Sequence, residues 1–370
     1  MPPISPGLVG QCFSLSYGAS RARFLAAAEE AGARLTTWCH PDAKAPDGST
    51  LSTDVATLGP VEAERVMLVV SGTHGPEGFV GAAAQIALLK ELATTNAVSD
   101  VKIVLVHAVN PWGFAHLSRT TENNVDLNRN FIEWDQPVPA NPSYGELHAH
   151  VCPADFAPET LGPAQAAIDA FIEAHGFDAY SDATMRGQYT HAAGLNYGGA
   201  GREWSNCTLE SILTETLSGA RRIAFIDWHT GLGERGEPFF LCFNERGSAA
   251  WRRACGWWGA DRIETTGGFS GAGRPRYTGL LFHGVQRFAA HAEVTGAVIE
   301  FGTEPREAMR RALQLDLQLK FGTSIAPQDY APLREQVLEA FAPTSSLWRR
   351  NVLGHAIEIQ HQTLHGLRAW

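Results

Sequence analysis

Four short apolar runs stand out along the chain: Val66–Val70 (VMLVV), Ile103–Val106 (IVLV), Ile223–Ile226 (IAFI) and Ala297–Phe301 (AVIEF). Continuous apolar, β-branched runs of this length are the pattern of strands covered on both faces. Segments of helical character separate them. Ser20–Leu35 (SRARFLAAAEEAGARL) has helix-forming composition with apolar residues at roughly helical spacing, Phe79–Ala93 bridges the first two runs, and Glu304–Phe321 is amphipathic. Thr36–Cys39 and Ser49–Val55 are β-like. The alternation predicts an α/β fold, a central sheet with helices on both faces.

Three regions interrupt it. Trp134–Pro163 is rich in Pro, Gly and His, Gly187–Ser205 is rich in Gly and aromatic residues, and Gly267–Gly284 reads GGFSGAGRPRYTGLLFHG. Long Gly-rich segments inside a domain are commonly functional loops, and their aromatic content suits the lining of a pocket. None has the character of an interdomain linker. The expectation is a single domain over residues 1–370, with inserted pocket-forming loops at about 132–219 and 266–284.

Composition acts mainly by exclusion. With 29 Lys+Arg against 39 Asp+Glu, the chain carries a formal charge of −10, which argues against a nucleic-acid partner, because phosphate contacts need a clustered basic surface. No stretch approaches the ~20 apolar residues of a membrane span. The first residues, Met1-Pro2-Pro3-Ile4-Ser5-Pro6, have neither the basic start nor the apolar core of a secretory signal. The six cysteines are scattered, with no CxxC pair, as reduced core residues are. A cytoplasmic protein without a membrane partner is expected, and any metal in it would be held by His and carboxylate.

Chemistry-bearing residues gather where the apolar runs end, which is where open α/β sheets bind ligands. Val66–Val70 leads into Ser71-Gly72-Thr73-His74-Gly75-Pro76-Glu77, Ile103–Val106 into His107-Ala108-Val109-Asn110, and Ile223–Ile226 into Asp227-Trp228-His229-Thr230-Gly231. Glu300 lies near the end of the fourth run. His74 and Glu77, with Gly75-Pro76 forcing a turn between them, could converge on one ion, and His229 would complete a His₂Glu set of the catalytic zinc kind. A His-x-x-Glu pair by itself is also compatible with a turn bearing a solvated charge. Glu300, set between Ile299 and Phe301, needs a partner, since burying an unpaired carboxylate costs several kcal/mol.

The segment Asn110–Phe131, NPWGFAHLSRTTENNVDLNRNF, together with His74-x-x-Glu77, His229 and Glu300 in the same order, resembles the zinc carboxypeptidases of the M14 type. DWHTG, IEFGT and GQYTHAAGLNYGGAGREWSN are most similar to the DUF2817 branch of that superfamily, which is related to the succinylglutamate desuccinylase and aspartoacylase deacylases. The resemblance spans residues 66 to 303. It implies a mixed, mainly parallel sheet flanked by helices and one Zn²⁺ held by His74, Glu77 and His229. It further implies that Asp126 fixes the outer nitrogen of His74 and that Arg119 polarises the scissile carbonyl. Asn128 and Arg129 would hold a substrate carboxylate, Glu300 would serve as base and acid toward zinc-bound water, and Tyr277 would reach over the substrate. Two plainer readings stand beside these: Asp126 and Arg129 as a structural ion pair, and Arg119 as a solvated loop residue. Glu304 competes with Glu300 as the base.

The activity implied is zinc-dependent cleavage of an amide or peptide bond in a small substrate with a free carboxylate. The substrate would be a peptide or an N-acyl amino acid. The alternatives are a deacylase of the aspartoacylase/desuccinylase type and a non-catalytic binding protein on the same fold. A phosphate-binding loop is disfavoured, because Gly72–Gly78 lacks the Lys-Ser/Thr ending such a loop needs.

Overall fold

The computed structural model describes residues 4–95, 100–263, 274–322 and 325–370. Among them, the strands are β1 (Arg34–Lys44), β2 (Thr50–Leu58), β3 (Arg65–Val70), β4 (Lys102–His107), β5 (Arg222–Arg235), β6 (Pro238–Leu241) and β7 (Glu293–Gly302). They form one sheet in the order β1-β2-β4-β3-β5-β7-β6. β4, β3, β5 and β7 run parallel to one another, while β1, β2 and β6 pair antiparallel at the margins. The sheet is therefore mixed and mainly parallel at its centre, in agreement with the expected class.

Alternation along β3 shows how the core is divided. Met67 and Val69 face Phe79, Ile86 and Leu89 of helix Gly78–Thr95 and Leu353 of helix Ser346–Ala369. Val66, Leu68 and Val70 face Leu209 and Ile212 of helix Trp204–Thr216 and Phe282 of helix Leu281–Phe288. Successive strand side chains point to opposite faces, so a run that is apolar at every position requires cover on both. Each buried aliphatic side chain here contributes about 1.5–3 kcal/mol.

Two boundaries differ from the sequence pattern. The apolar run Ile223–Ile226 is only the first part of β5, whose pairing with β7 continues through Asp227, His229 and Thr230 and places His229 opposite Glu300. Helix Arg306–Phe321 starts after Pro305, which leaves Glu304 outside it; the residue before a proline is disfavoured in helical conformation.

The expected loops at about 132–219 are largely helical. Helices Pro142–Val151, Pro158–His175, Phe177–Met185 and Trp204–Thr216 occupy that stretch. Pro142 and Pro158 each open a helix, where a missing N–H costs nothing, so proline content that reads as loop instead marks helix starts. Of the second insertion, residues 266–273 lie outside the described residues. Its remainder runs without regular structure to Leu280 and then enters helix Leu281–Phe288. No helix among the described residues is long and apolar enough to cross a membrane.

Candidate active site

The turn after β3 packs flush against the segment that carries Arg119. A Cβ at Gly75 would lie 2.1 Å from the Gly113 carbonyl, so no larger residue fits there. Gly75 N donates to Arg119 O at 3.4 Å. His74 and Glu77 emerge from this turn, both buried. Glu77 bridges two imidazoles: its Oε1 is 2.9 Å from His74 Nδ1, its Oε2 is 2.8 Å from His229 Nδ1, and Thr230 N donates to Oε2 at 3.1 Å. One ligand atom from each of His74, Glu77 and His229 lies within 4.8 Å of the others. Two imidazole nitrogens and a carboxylate oxygen, convergent and buried, fit Zn²⁺ with a coordination position left open.

Both outer ring nitrogens are backed by buried carboxylates. His74 Nε2 lies 2.9 Å from Asp126 Oδ1, and His229 Nε2 lies 3.0 Å from Asp227 Oδ2. Asp227 is held in turn by Thr73, whose hydroxyl donates to Oδ1 at 2.9 Å. Such carboxylate–histidine pairs fix the tautomer and aim the other nitrogen at the ion. Asp227 was not singled out by the sequence motifs, although Asp-Trp-His places the two side chains on one face of a strand.

Charge follows this arrangement. Burial alone would raise the Glu77 carboxyl, but the two imidazoles against it hold it below the usual carboxylate range. Asp126, equally buried, is held well below that range by Arg119, Arg129 and His74. Against its own burial, His229 is raised well above the ordinary imidazole value by Asp227 and Glu77. Glu300 goes the other way. Burial, with the charge of Glu77 added, pushes it up to about 7, within the range useful to a general acid and base.

Glu300 reaches the site from β7, buried, with Oε2 accepting from Leu232 N at 3.3 Å. Glu304 also borders the cavity but is paired with Arg235. Arg119 Nη1 donates to Asp126 Oδ2 at 2.6 Å and lies 3.4 Å from Asn196 Oδ1. Its backbone N–H donates to Asp316 Oδ2 at 2.9 Å, so Arg119 is anchored rather than solvated. Asn196 lies in the GQYTHAAGLNYGGAGREWSN stretch, which pointed to no role for it, and Asp316 lies in no motif.

Asn128 is turned inward. Its Oδ1 accepts from Leu281 N at 2.9 Å, while its Nδ2 lies 3.3 Å from His229 Nε2; with that nitrogen donating to Asp227, the Asn128 amide N–H bonds stay available as donors. In Arg129, Nε and Nη2 donate to Met185 O and Nη1 to Asn128 O, which uses three of five N–H bonds and leaves two. Nη1 is also 4.0 Å from Asp126 Oδ2. The guanidinium lies 5.0 Å from the centre of the Tyr277 ring. Gly279 makes this possible: it has a φ of +69°, and a Cβ there would lie 2.2 Å from Arg129 O. A cavity of about 530 Å³ opens over His74, Glu77 and His229 and is also bordered by Arg119, Arg129 and Glu300.

Among solved structures, the chain is similar to carboxypeptidase A from Helicoverpa armigera, at 12% identity over 93% of this chain and 73% of that one, with a TM-score of 0.47. A metallo-carboxypeptidase from Pseudomonas aeruginosa gives 13% identity over 94% and 70%, with a TM-score of 0.42. A succinylglutamate desuccinylase from a Silicibacter species gives 14% identity over 78% and 67%, with a TM-score of 0.36. No curated protein matches the chain in sequence. The family described as "Protein of unknown function (DUF2817)" matches residues 13–355, and the chain belongs to it.

Proposed function

We propose that the chain is a zinc-dependent hydrolase that cleaves an amide or peptide bond in a small substrate bearing a free carboxylate. One observation carries this reading: the buried His74/Glu77/His229 cluster shares a cavity with the Glu300 carboxyl, raised to about 7, and with Arg119 and Arg129. A cation at the cluster would supply Lewis-acid polarisation and a lowered pKa for water. Asp126 and Asp227 orient the two imidazoles. The two uncommitted N–H bonds of Arg129, together with the Asn128 amide, receive the substrate carboxylate. Arg119, fixed by Asp126 and Asp316, stabilises the negative charge that develops on the carbonyl oxygen. Glu300 takes a proton from the attacking water and delivers it to the leaving nitrogen as the C–N bond breaks.

A carboxypeptidase and an N-acyl amino acid deacylase would use the same groups. A binding protein without catalysis has no use for a desolvated, proton-accepting Glu300 beside the cluster. The test is metal analysis of the purified protein combined with hydrolysis assays on dipeptides and N-acyl amino acids, before and after chelation. One zinc per chain and chelator-sensitive turnover are expected. A protein that binds no zinc, or whose turnover survives complete zinc removal, would overturn the reading.

A further inference from the structure

The insertion does more than cover the site, and its helices have a defined place relative to the two arginines. Arg119 Nη1 lies 3.4 Å from Asn196 Oδ1, and Asn196 Nδ2 donates to Thr184 O at 2.6 Å in helix Phe177–Met185. The Arg119 backbone N–H is bound by Asp316 of helix Arg306–Phe321. The carbonyl end of the site is thus tied to both of these helices. Arg129 lies past the C-terminal end of helix Phe177–Met185, where it takes Met185 O and stacks against Tyr277. A substrate with its carboxylate on Arg129 and its carbonyl at Arg119 must direct the group on the carbonyl side between the insertion and helix Arg306–Phe321.

That space has a largely apolar wall, with Gln165, Arg306, Glu307 and Arg310 also on its border. Ile168 and Ile172, Phe177 and Tyr180, and Met309 and Leu313 all border the cavity. The charged residues nearby are engaged with one another and with the wall. Arg310 pairs with Glu307 at 2.7 Å and with Gln165 at 3.0 Å, and Arg306 lies 4.4 Å from the centre of the Phe177 ring. Gln314 Nε2 donates to Val151 O at 3.0 Å, so the insertion is bolted to the helix that forms the opposite wall. A charged or strongly polar group packed against these apolar side chains would lose its hydration at a cost.

We infer that this chamber receives the acyl side of the substrate and selects a large apolar group: a medium-length hydrocarbon acyl chain, or a bulky apolar residue preceding the scissile bond. The inference rests on the carboxylate-clamp reading of Arg129. The whole cavity, which takes in the cluster and both arginines as well as this chamber, is about 530 Å³, the size that accommodates a drug-sized ligand.

The experiment uses the zinc-loaded protein with N-acyl leucines from acetyl through butanoyl and hexanoyl to octanoyl, and Gly-Leu beside Phe-Leu as the peptide arm. kcat/KM is expected to rise roughly threefold or more per added methylene, on the scale of hydrophobic transfer, and the peptide arm shows whether an apolar residue substitutes for the chain. Ile172→Trp should fill the chamber, sparing acetyl-leucine turnover while lowering octanoyl-leucine turnover at least tenfold. Calorimetric binding of the same ligands to Glu300→Gln reads the chamber without catalysis. Rates and affinities that are flat or falling with chain length would overturn the inference and leave the hydrolase reading intact. Tight, chain-length-dependent binding with no turnover in the zinc-loaded protein would support the chamber and count against the hydrolase. Absence of both binding and turnover across the series would overturn the inference.

Discussion

The His229 imidazole and the Asp227 carboxylate face each other at 3.0 Å, two residues apart on one strand. Their counterpart, His74 with Asp126 at 2.9 Å, is assembled from residues 52 apart. One pairing is thus local and fixed by strand geometry, while the other requires the whole central sheet to be in place. Both leave an Nδ1 aimed at Glu77.

Asp227→Asn should therefore weaken zinc binding by about 10–100-fold while preserving the fold, since the amide keeps the carboxylate's shape and still offers an oxygen to Thr73. Competition against a chromophoric chelator gives the affinity, and thermal melting of the zinc-free protein gives the fold control. An unchanged affinity would show that Asp227 does not support the ligand.

The two arginines should separate kinetically. Arg129→Ala removes a contact made equally in the ground and transition states, so KM for carboxylate substrates should rise with little change in kcat. The same variant should behave like wild type on amidated analogues. Arg119→Ala removes a donor to developing charge and should lower kcat by roughly 10²–10³-fold, and Arg119→Lys should recover part of it. If Arg129→Ala impaired amidated and free-acid substrates alike, the clamp assignment would fail.

Much of this site is legible in the sequence because its residues sit at the ends of apolar runs. Val66–Val70 leads to His74 and Glu77, Ile223–Ile226 leads to His229, and β7 itself contains Glu300. Strand ends deliver side chains to one edge of a parallel sheet, so strand order and motif position together indicate convergence. The insertion is not legible in the same way. Pro142 and Pro158 give it the composition of loops, yet its helices bury Tyr144, Leu147 and Ile168 against Leu317 from a distant part of the chain. Asp316 is hidden for a related reason. Its bonds to Ser118 and Arg119 N, and its pairing with Arg334, exist only after helix Arg306–Phe321 has docked.

Glu300→Gln should keep the fold and the zinc yet lose turnover on the order of 10²–10⁴-fold, because a carboxamide cannot accept and return a proton. Glu304→Gln should be nearly neutral, since Glu304 is engaged by Arg235 at the rim of the cavity. Measuring kcat and zinc content on both variants decides between them. An inactive Glu304→Gln protein beside an active Glu300→Gln protein would reverse the assignment.

A pH-linked stability change should originate at a residue that does not line the cavity. His107, at the end of β4, is fully buried, its ring stacked on Phe24 at 4.7 Å and its Nε2 3.1 Å from Ser20 Oγ. Its Nδ1 has no hydrogen-bond partner among the described residues. Burial pushes its pKa from 6.5 down to about 4, although nearby Asp54 acts in the opposite direction. The unfolded chain therefore takes up a proton on this residue below about pH 6.5, whereas the native state stays neutral until about pH 4. Because the unfolded state binds more protons in that window, stability falls as pH falls through it, by about 2 kcal/mol at pH 5 from this residue alone. Other groups titrate over the same range, so the measurement is a difference. Urea unfolding of zinc-free wild type and of His107→Phe, which keeps the ring stack but has no site for a proton, should be compared at about pH 7.5 and pH 5. The variant should lose about 2 kcal/mol less than wild type on acidification. Equal losses would mean that His107 is protonated as readily in the native state as in the unfolded chain.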